Sequence, residues 1–433
     1  MSKKFWRDGF SDDEINELLR LVVESRSVND DGSITLRGIL DVYSVSAIMQ
    51  SAISIDDDAL LDKDRVIEKA IRDPRLDNDP SKRNFQKIYY ESRAELQAGV
   101  DEMYRCVFPI WNAPRFLNGR IRSNNVTLNF GVSKSSPIIK RIVKERRIQR
   151  AKPEFAPFFD RQKVYQIEQC KLCVATIRAG SPRSANAICT RELYKILGMI
   201  NLAVDGSKYS RQSTPGFKRP PISEVLIAPH STIHDEKGAM KYKGYWYENW
   251  TYGPNANLRK KEQVDGWERN FRQLRSAVSK SRWRKNCEVS LVKYFKAFSN
   301  PNLEDAFLDG WRLFEFIAGT RNEKIENKIL RCSSIFEDWR EQQLIGNHLK
   351  FRRNSISHGH NVISGDEEVI AFQMLQFVHP FLIRYILNSL RFNGDREFWN
   401  FLDLPQDSHD LEMASKDAKN ALKMIQKVKE FRR

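Results

Sequence analysis

The chain has 433 residues, of which 41% are hydrophobic and 11% aromatic, enough for two or three domains with real cores and too apolar for global disorder. Lys and Arg number 72 against 56 acids, a formal net charge of +16. That excess favours a polyanion as partner, nucleic acid or an anionic membrane surface, over a merely solubilising role. The first residues, Met1-Ser2-Lys3-Lys4-Phe5-Trp6-Arg7-Asp8, hold no apolar run and do not read as a signal peptide.

In chain order, Ser11-Asp12-Asp13-Glu14 opens a helix as a capping box, followed by the apolar stripe Ile15, Leu18, Leu19, Val22 and Val23. Asn29-Asp30-Asp31-Gly32 reads as a turn, and a second helix is predicted from about Ile39 to Ile53. Loops around Asp73-Pro74 and Asp79-Pro80 flank a short helix, Val66 to Ile71. Arg83 to Phe108 reads as one long amphipathic helix ended by Pro109. The period then changes to strands at Val126 to Val132 and Val164 to Arg178, with the basic segment Ile138 to Arg150 between them. A helix from about Ser184 to Ala203 follows, then strands at Val225 to Pro229 and Tyr242 to Tyr252. From about Val264 the pattern is helical throughout: Asn286 to Phe298, Leu303 to Ile317, Asn322 to Phe336, Asp338 to Asn354, and a long helix from Asp366 to about Phe392. A basic helix, Leu411 to Arg433, comes last. No stretch reaches the ~18 apolar residues of a membrane span. The most apolar late run, Phe377 to Leu387, is broken by His379, Pro380 and Arg384.

The chemistry concentrates in Phe351-Arg352-Arg353-Asn354-Ser355-Ile356-Ser357-His358-Gly359-His360. His358 can exchange protons near neutral pH. Arg353 offers a rigid fork of donors for a phosphate, and Asn354 can hold either group by hydrogen bonds. On an unbroken helix Asn354 and His358 share a face, whereas Arg353 and His358 differ by about 140° and Arg353 must reach round. Arg352 is a second candidate. The competing reading is a basic helix end, with both arginines in solvent and Gly359 as the cap.

The order Arg-Asn-x-x-x-His-Gly follows a helix carrying Leu313, Phe314 and Glu315 and precedes a long apolar helix. In this it resembles the HEPN superfamily, most closely its Apea-like branch, over about residues 283 to 395. The resemblance implies a helical bundle that dimerises and cleaves RNA without metal, with Arg353, Asn354 and His358 as catalytic residues in a cleft shared by two protomers. It also implies 2′-OH transesterification, tRNA among the possible substrates, and a toxin or anti-phage abortive-infection role answering a phage-derived trigger. Glu315 matches an acidic position of the second helix. A binding or regulatory protein with a HEPN fold and no catalysis is the alternative.

Other motifs are weaker. Cys170-Lys171-Leu172-Cys173 lacks the second pair that structural zinc needs, and its two cysteines point to opposite faces of a strand. His230 and His234 have helical metal spacing but sit in strand and loop sequence. The six cysteines, 106, 170, 173, 189, 287 and 332, are too sparse for a disulfide framework. No Gly-rich phosphate loop is present, and no cofactor is expected. The run Arg259-Lys260-Lys261, then Arg269, Arg272, Arg275, Lys280, Arg282, Arg284 and Lys285, is interleaved with Trp267, Phe271 and Trp283. It suits either RNA stacking and phosphate contact or a solvated helix with inward-packed rings.

The expected architecture is mainly α: a helical region 1–120, an α+β region 121–265 that senses a trigger or positions RNA, a HEPN-type helical bundle 266–395, and a basic C-terminal helix 396–433. A cytoplasmic location with free thiols and no membrane attachment completes the expectation.

Overall fold

The computed structural model describes residues 5–28, 34–36, 42–54, 63–98, 102–132, 135–152, 170–204, 221–228, 230–245, 261–357 and 367–432. Among them the chain is mainly helical, with one seven-stranded antiparallel sheet and one short hairpin. The capping box at Ser11 forms as predicted. Ser11 Oγ accepts from the Glu14 amide at 3.1 Å, and the Glu14 carboxylate accepts from the Ser11 amide at 2.8 Å. It starts α1 (Asp12–Glu24), whose Ile15, Leu19 and Val22 are buried. With Phe5 and Trp6 these pack against α2 (Val42–Ala52), α3 (Lys63–Ile71), α4 (Arg75–Asn78) and α5 (Lys82–Ala98) in a core of their own. The hairpin of β1 (Arg26–Val28) and β2 (Ile34–Leu36) supplies Arg26, whose guanidinium caps the end of α3 through the carbonyls of Ile71 and Asp73.

The predicted helix from Arg83 to Phe108 is corrected. It ends at Ala98, and Glu102–Trp111 is β3, the central strand of the sheet. The cause is burial on both faces. Cys106, Phe108 and Ile110 face the main core, while Val107 packs with Ile139, Ile142 and Val174 on the other side. A strand buried twice has no alternation, so its apolar run is indistinguishable from a helix by period. Pro109 lies inside the strand rather than ending a helix, and its carbonyl accepts from Ala228 N at 2.8 Å. The sheet runs β4 (Arg120–Ser123), β5 (Val126–Asn129), β6 (Lys171–Ala179), β3, β8 (Ser231–Asp235), β9 (Met240–Tyr245), with β7 (Leu226–Ile227) also on β3. The helical region predicted for 1–120 therefore contains the central strand of this sheet, and the edge strand β4 starts at its end. β6 starts at Lys171, and residues 164–169 of its predicted span, like 246–252 of the strand ending at Tyr252, lie outside the described residues.

One face of the sheet carries α6 (Pro137–Arg150); the other carries α7 (Pro182–Val204). α7 is shared. It packs on β6 and β3 and, on its far side, on α8 (Lys261–Lys280) and α9 (Arg284–Phe298). Gly198 permits this: a Cβ there would lie 2.1 Å from the Leu291 carbonyl oxygen. Asn201 of α7 is buried and exchanges two hydrogen bonds with Val225, at 2.9 and 3.0 Å.

α9 packs on α10 (Leu303–Ile317), which opens at Asn302; its side chain accepts from the Glu304 and Asp305 amides at 3.0 and 3.3 Å. α10 packs along α13 (Glu367–Leu387), with α11 (Ile325–Ser333) and α12 (Trp339–Ser357) alongside. Sheet and bundle share a single apolar core that runs across residue 265. The long helix predicted to about Phe392 ends at Leu387, where Asn388 turns with φ +44°. A short α14 (Asp395–Leu402) follows, and then α15 (Ser408–Phe431). α13 is the one described helix long and apolar enough to cross a membrane, and 67% of its most apolar window is buried inside the protein.

Candidate active site

α12 carries the Arg-Asn pair. Its buried residues are Gly346 and Leu349. A Cβ at Gly346 would lie 2.6 Å from Ile329 Cγ2 and 3.0 Å from Phe377 Cζ, so α12 crosses α11 and α13 at close range. Ile345 and Ile356 are partly buried on the same seam. Counting in steps of three and four from Ile345, Gly346 and Leu349 arrives at Arg352, Arg353 and Ile356. Arg352 and Arg353 therefore sit on the inner stripe of α12, near its last described turn, and both are half-buried. Neither arginine is fully exposed, as the competing reading of a solvated helix end would have it, and Asn354, Ser355 and Ile356 are half-buried with them.

Arg353 Nη1 donates to Asn354 Oδ1 at 3.1 Å. The Nε of Arg352 is buried with no hydrogen-bond partner among the described residues. On the outer side Lys350 pairs with Glu326 at the start of α11, and Phe351 is 68% exposed. His358 and Gly359 lie outside the described residues, as does the rest of 358–366. The structure thus brings Arg352, Arg353 and Asn354 together on a helix packed against the bundle.

Glu315 accepts from the Trp311 indole at 2.9 Å, and its charge acts on Lys328. Burial pulls the Lys328 ammonium below its ordinary range, and the Glu315 and Glu323 carboxylates work against that shift. Beside it Arg331 ties three elements together. It is bidentate to Asp403 at 2.7 and 2.6 Å and donates to Glu323 at 2.7 Å and to the Ala318 carbonyl at 2.9 Å. This cluster holds the ends of α10, α11 and α14.

A second constellation escaped the sequence reading. Glu192 and Lys195 are the buried charged residues of α7. The Glu192 carboxylate accepts from Ser123 Oγ at 2.6 Å, Asn124 Nδ2 at 2.9 Å and Lys195 Nζ at 2.5 Å. Lys195 also lies 3.4 Å from Glu288, which takes a 2.8 Å bond from Arg284. Two carboxylates and two cations balance, joining the β4–β5 turn to α7 and α9. Burial raises the Glu288 carboxyl, but the Arg284 bond and the nearby Lys195 outweigh it and hold the group low. The signal in the sequence was a charged pair three apart on a helix; its partners lie far off in the chain.

The basic segments divide. On α6 Lys140, Arg141, Lys144 and Arg147 are exposed, while Arg146 is buried and donates to Thr232 Oγ1 at 2.6 Å. On α8 Arg269, Arg272, Arg275 and Lys280 are exposed. The interleaved rings are not: Phe271 and Trp283 are buried, and Trp267 packs partly on the core. Trp283 lies against Tyr385 and Phe398, with centroids 5.5 and 6.5 Å away. The base-stacking reading of this run is corrected, and the inward-packed helix is what forms.

Cys173 is buried in the sheet core, whereas Cys170 packs on the Trp111, Leu226 and Ala228 cluster. Burial lifts the Cys170 thiol to about 12. His234 lies in β8 and is held by Gly238 O at 3.1 Å and Thr232 Oγ1 at 2.9 Å. Among the described residues no group of three or more His, Cys, Asp or Glu is placed to hold a metal. Compared with family models, curated proteins and solved structures, the chain matches none.

Proposed function

We infer that the chain is a metal-independent endoribonuclease of HEPN type. The observation that supports this best is half-buried Arg353 on the inner stripe of α12, bonded to its neighbour Asn354, in a helix followed within one turn by His358 in the sequence. Arg331 is tied to two carboxylates, whereas the bond described for Arg353 goes to the amide of its own neighbour and leaves the rest of its donor fork for a ligand in this reading. In this reading His358 moves the proton between the ribose 2′-OH and the leaving 5′-oxygen. Arg353 stabilises charge on the phosphate, and Asn354 orients it. The 2′-oxygen attacks phosphorus, the bond to the 5′-oxygen breaks, and a 2′,3′-cyclic phosphate remains. One His and one Arg supply half of the acid–base and charge stabilisation, so a second protomer completes the site. On the same resemblance the setting is cytoplasmic, as a toxin or abortive-infection effector acting on tRNA or another RNA.

A second reading has its own support. The exposed cations of α6 and α8, without exposed rings, suit contact with a phosphate backbone and no base readout. In that reading the chain binds nucleic acid and does not cut it.

The test is RNA incubated in EDTA with wild type, Arg353→Ala and His358→Ala. Cleavage by wild type alone, leaving cyclic-phosphate ends, is expected. Equal cleavage by all three would remove the catalytic assignment, and loss of wild-type cleavage in EDTA would remove the metal-free mechanism. Salt-dependent binding without cleavage would favour the binding module.

A further inference from the structure

α15 is a 24-residue helix that buries none of its residues. At ~1.5 Å per residue it extends about 36 Å. A helix with no packed face has little to hold it in water, because most helical stability in proteins comes from tertiary packing. Yet its apolar residues are not scattered. Leu411, Ala414, Ala418, Ala421, Ile425 and Val428 recur at alternating steps of three and four, the spacing of a coiled-coil seam. Leu422, Met424 and Phe431 flank it, at 58, 62 and 91% exposure.

We propose that α15 docks against α15 of a second copy of this chain as an antiparallel coiled coil. Two features select this occupant. The first is that the seam is its own complement when reversed. Leu411 then meets Val428, Ala414 meets Ile425, and Ala418 meets Ala421 about a two-fold axis between residues 419 and 420. Each large side chain at the ends meets a partner that leaves room for it, and alanines at the centre allow close approach of about 8 Å. The second is charge. The first half holds Asp407, Asp410, Glu412 and Asp417 with Lys416 as its one Lys or Arg; from Lys419 onward come Lys419, Lys423, Lys427, Lys429, Arg432 and Arg433 against Glu430. Antiparallel pairing lays the acidic half of each helix along the basic half of the other and sets Asp407 opposite Arg432 at both ends of the seam. Parallel pairing sets like beside like and aligns the helix dipoles. The proposal does not rest on RNA cleavage.

Sedimentation of the full chain tests it, together with Ile425→Lys and, as a second seam variant, Leu411→Lys. Because α15 buries nothing, both variants should keep the wild-type thermal midpoint of the remaining fold. A wild-type dimer and monomeric variants are expected. Orientation is read by mixing tagged Leu411→Cys with untagged Val428→Cys under mild oxidation; the native cysteines are buried or half-buried. Cross-linking between the two variants supports the antiparallel pair. A monomeric wild type, a dimer that survives Ile425→Lys, or cross-links only between like variants would overturn it. So would a monomer that uses α15 to bind anionic vesicles or RNA.

Discussion

The Glu192–Lys195 cluster and the end of α12 hold similar groups and use them in opposite ways. In the first, a carboxylate takes three donors and two ammonium or guanidinium groups meet two acids, all closed between α7, α9 and the β4–β5 turn. In the second, two half-buried arginines and an asparagine share one bond between neighbours, and Arg352 Nε has no partner among the described residues. The first set of charges is consumed by the fold. Among the described residues the second set keeps most of its hydrogen-bonding capacity unspent, which is what the proposed phosphate site would require.

The sharpest way to break this contrast is to delete one member on each side. Arg353→Ala or His358→Ala should slow RNA cleavage by roughly 10²–10⁴-fold, as loss of a positioned acid–base or charge-stabilising group does, measured under single turnover. Glu192→Ala leaves Lys195 buried with one weaker partner. It should cost about 3–5 kcal/mol in urea unfolding, the range for removing one side of a buried pair. Both effects should stay in their own assay.

Next in size is a pH effect that belongs to the fold alone. Burial, reinforced by the nearby Arg146 and opposed by the Gly238 carbonyl and Asp235, lowers His234 to about 4. Between the ordinary value of 6.5 and about 4 the unfolded chain binds the proton and the native one does not. This contribution is therefore complete above pH 6.5 and lost as the pH falls towards 4, up to about 3 kcal/mol. His234→Gln should flatten that part of the stability profile. The smallest expected effect sharpens the comparison from the other side: Arg353→Ala should change unfolding free energy by less than about 1 kcal/mol, since its visible bond is local and half-exposed.

Much of the helical bundle was legible from sequence. Capping at Ser11, in the N-terminal helices, and the helix Leu303 to Ile317 each follow from local rules, and each forms. The central strand β3 was not legible, because burial on both faces erased the alternation that marks a strand. The rings at Phe271 and Trp283 carry no sign in sequence of which way they face; α7, α13 and α14 decide it. The candidate site came from the resemblance, since spacing alone sets Arg353 and His358 on different faces; Arg353 and Asn354 lie half-buried on α12, and His358 lies outside the described residues. Glu315 was placed by analogy of position, and its described hydrogen bond is from the Trp311 indole. The Glu192 cluster was invisible because Ser123, Glu192 and Glu288 meet only after folding.

The most direct measurement is single-turnover RNA cleavage in EDTA by wild type and Arg353→Ala at matched, verified stability. The account predicts cyclic-phosphate products from wild type and a loss of at least about 10²-fold in the variant. Equal rates would contradict it, and would return Arg353 to the surface of a basic binding protein.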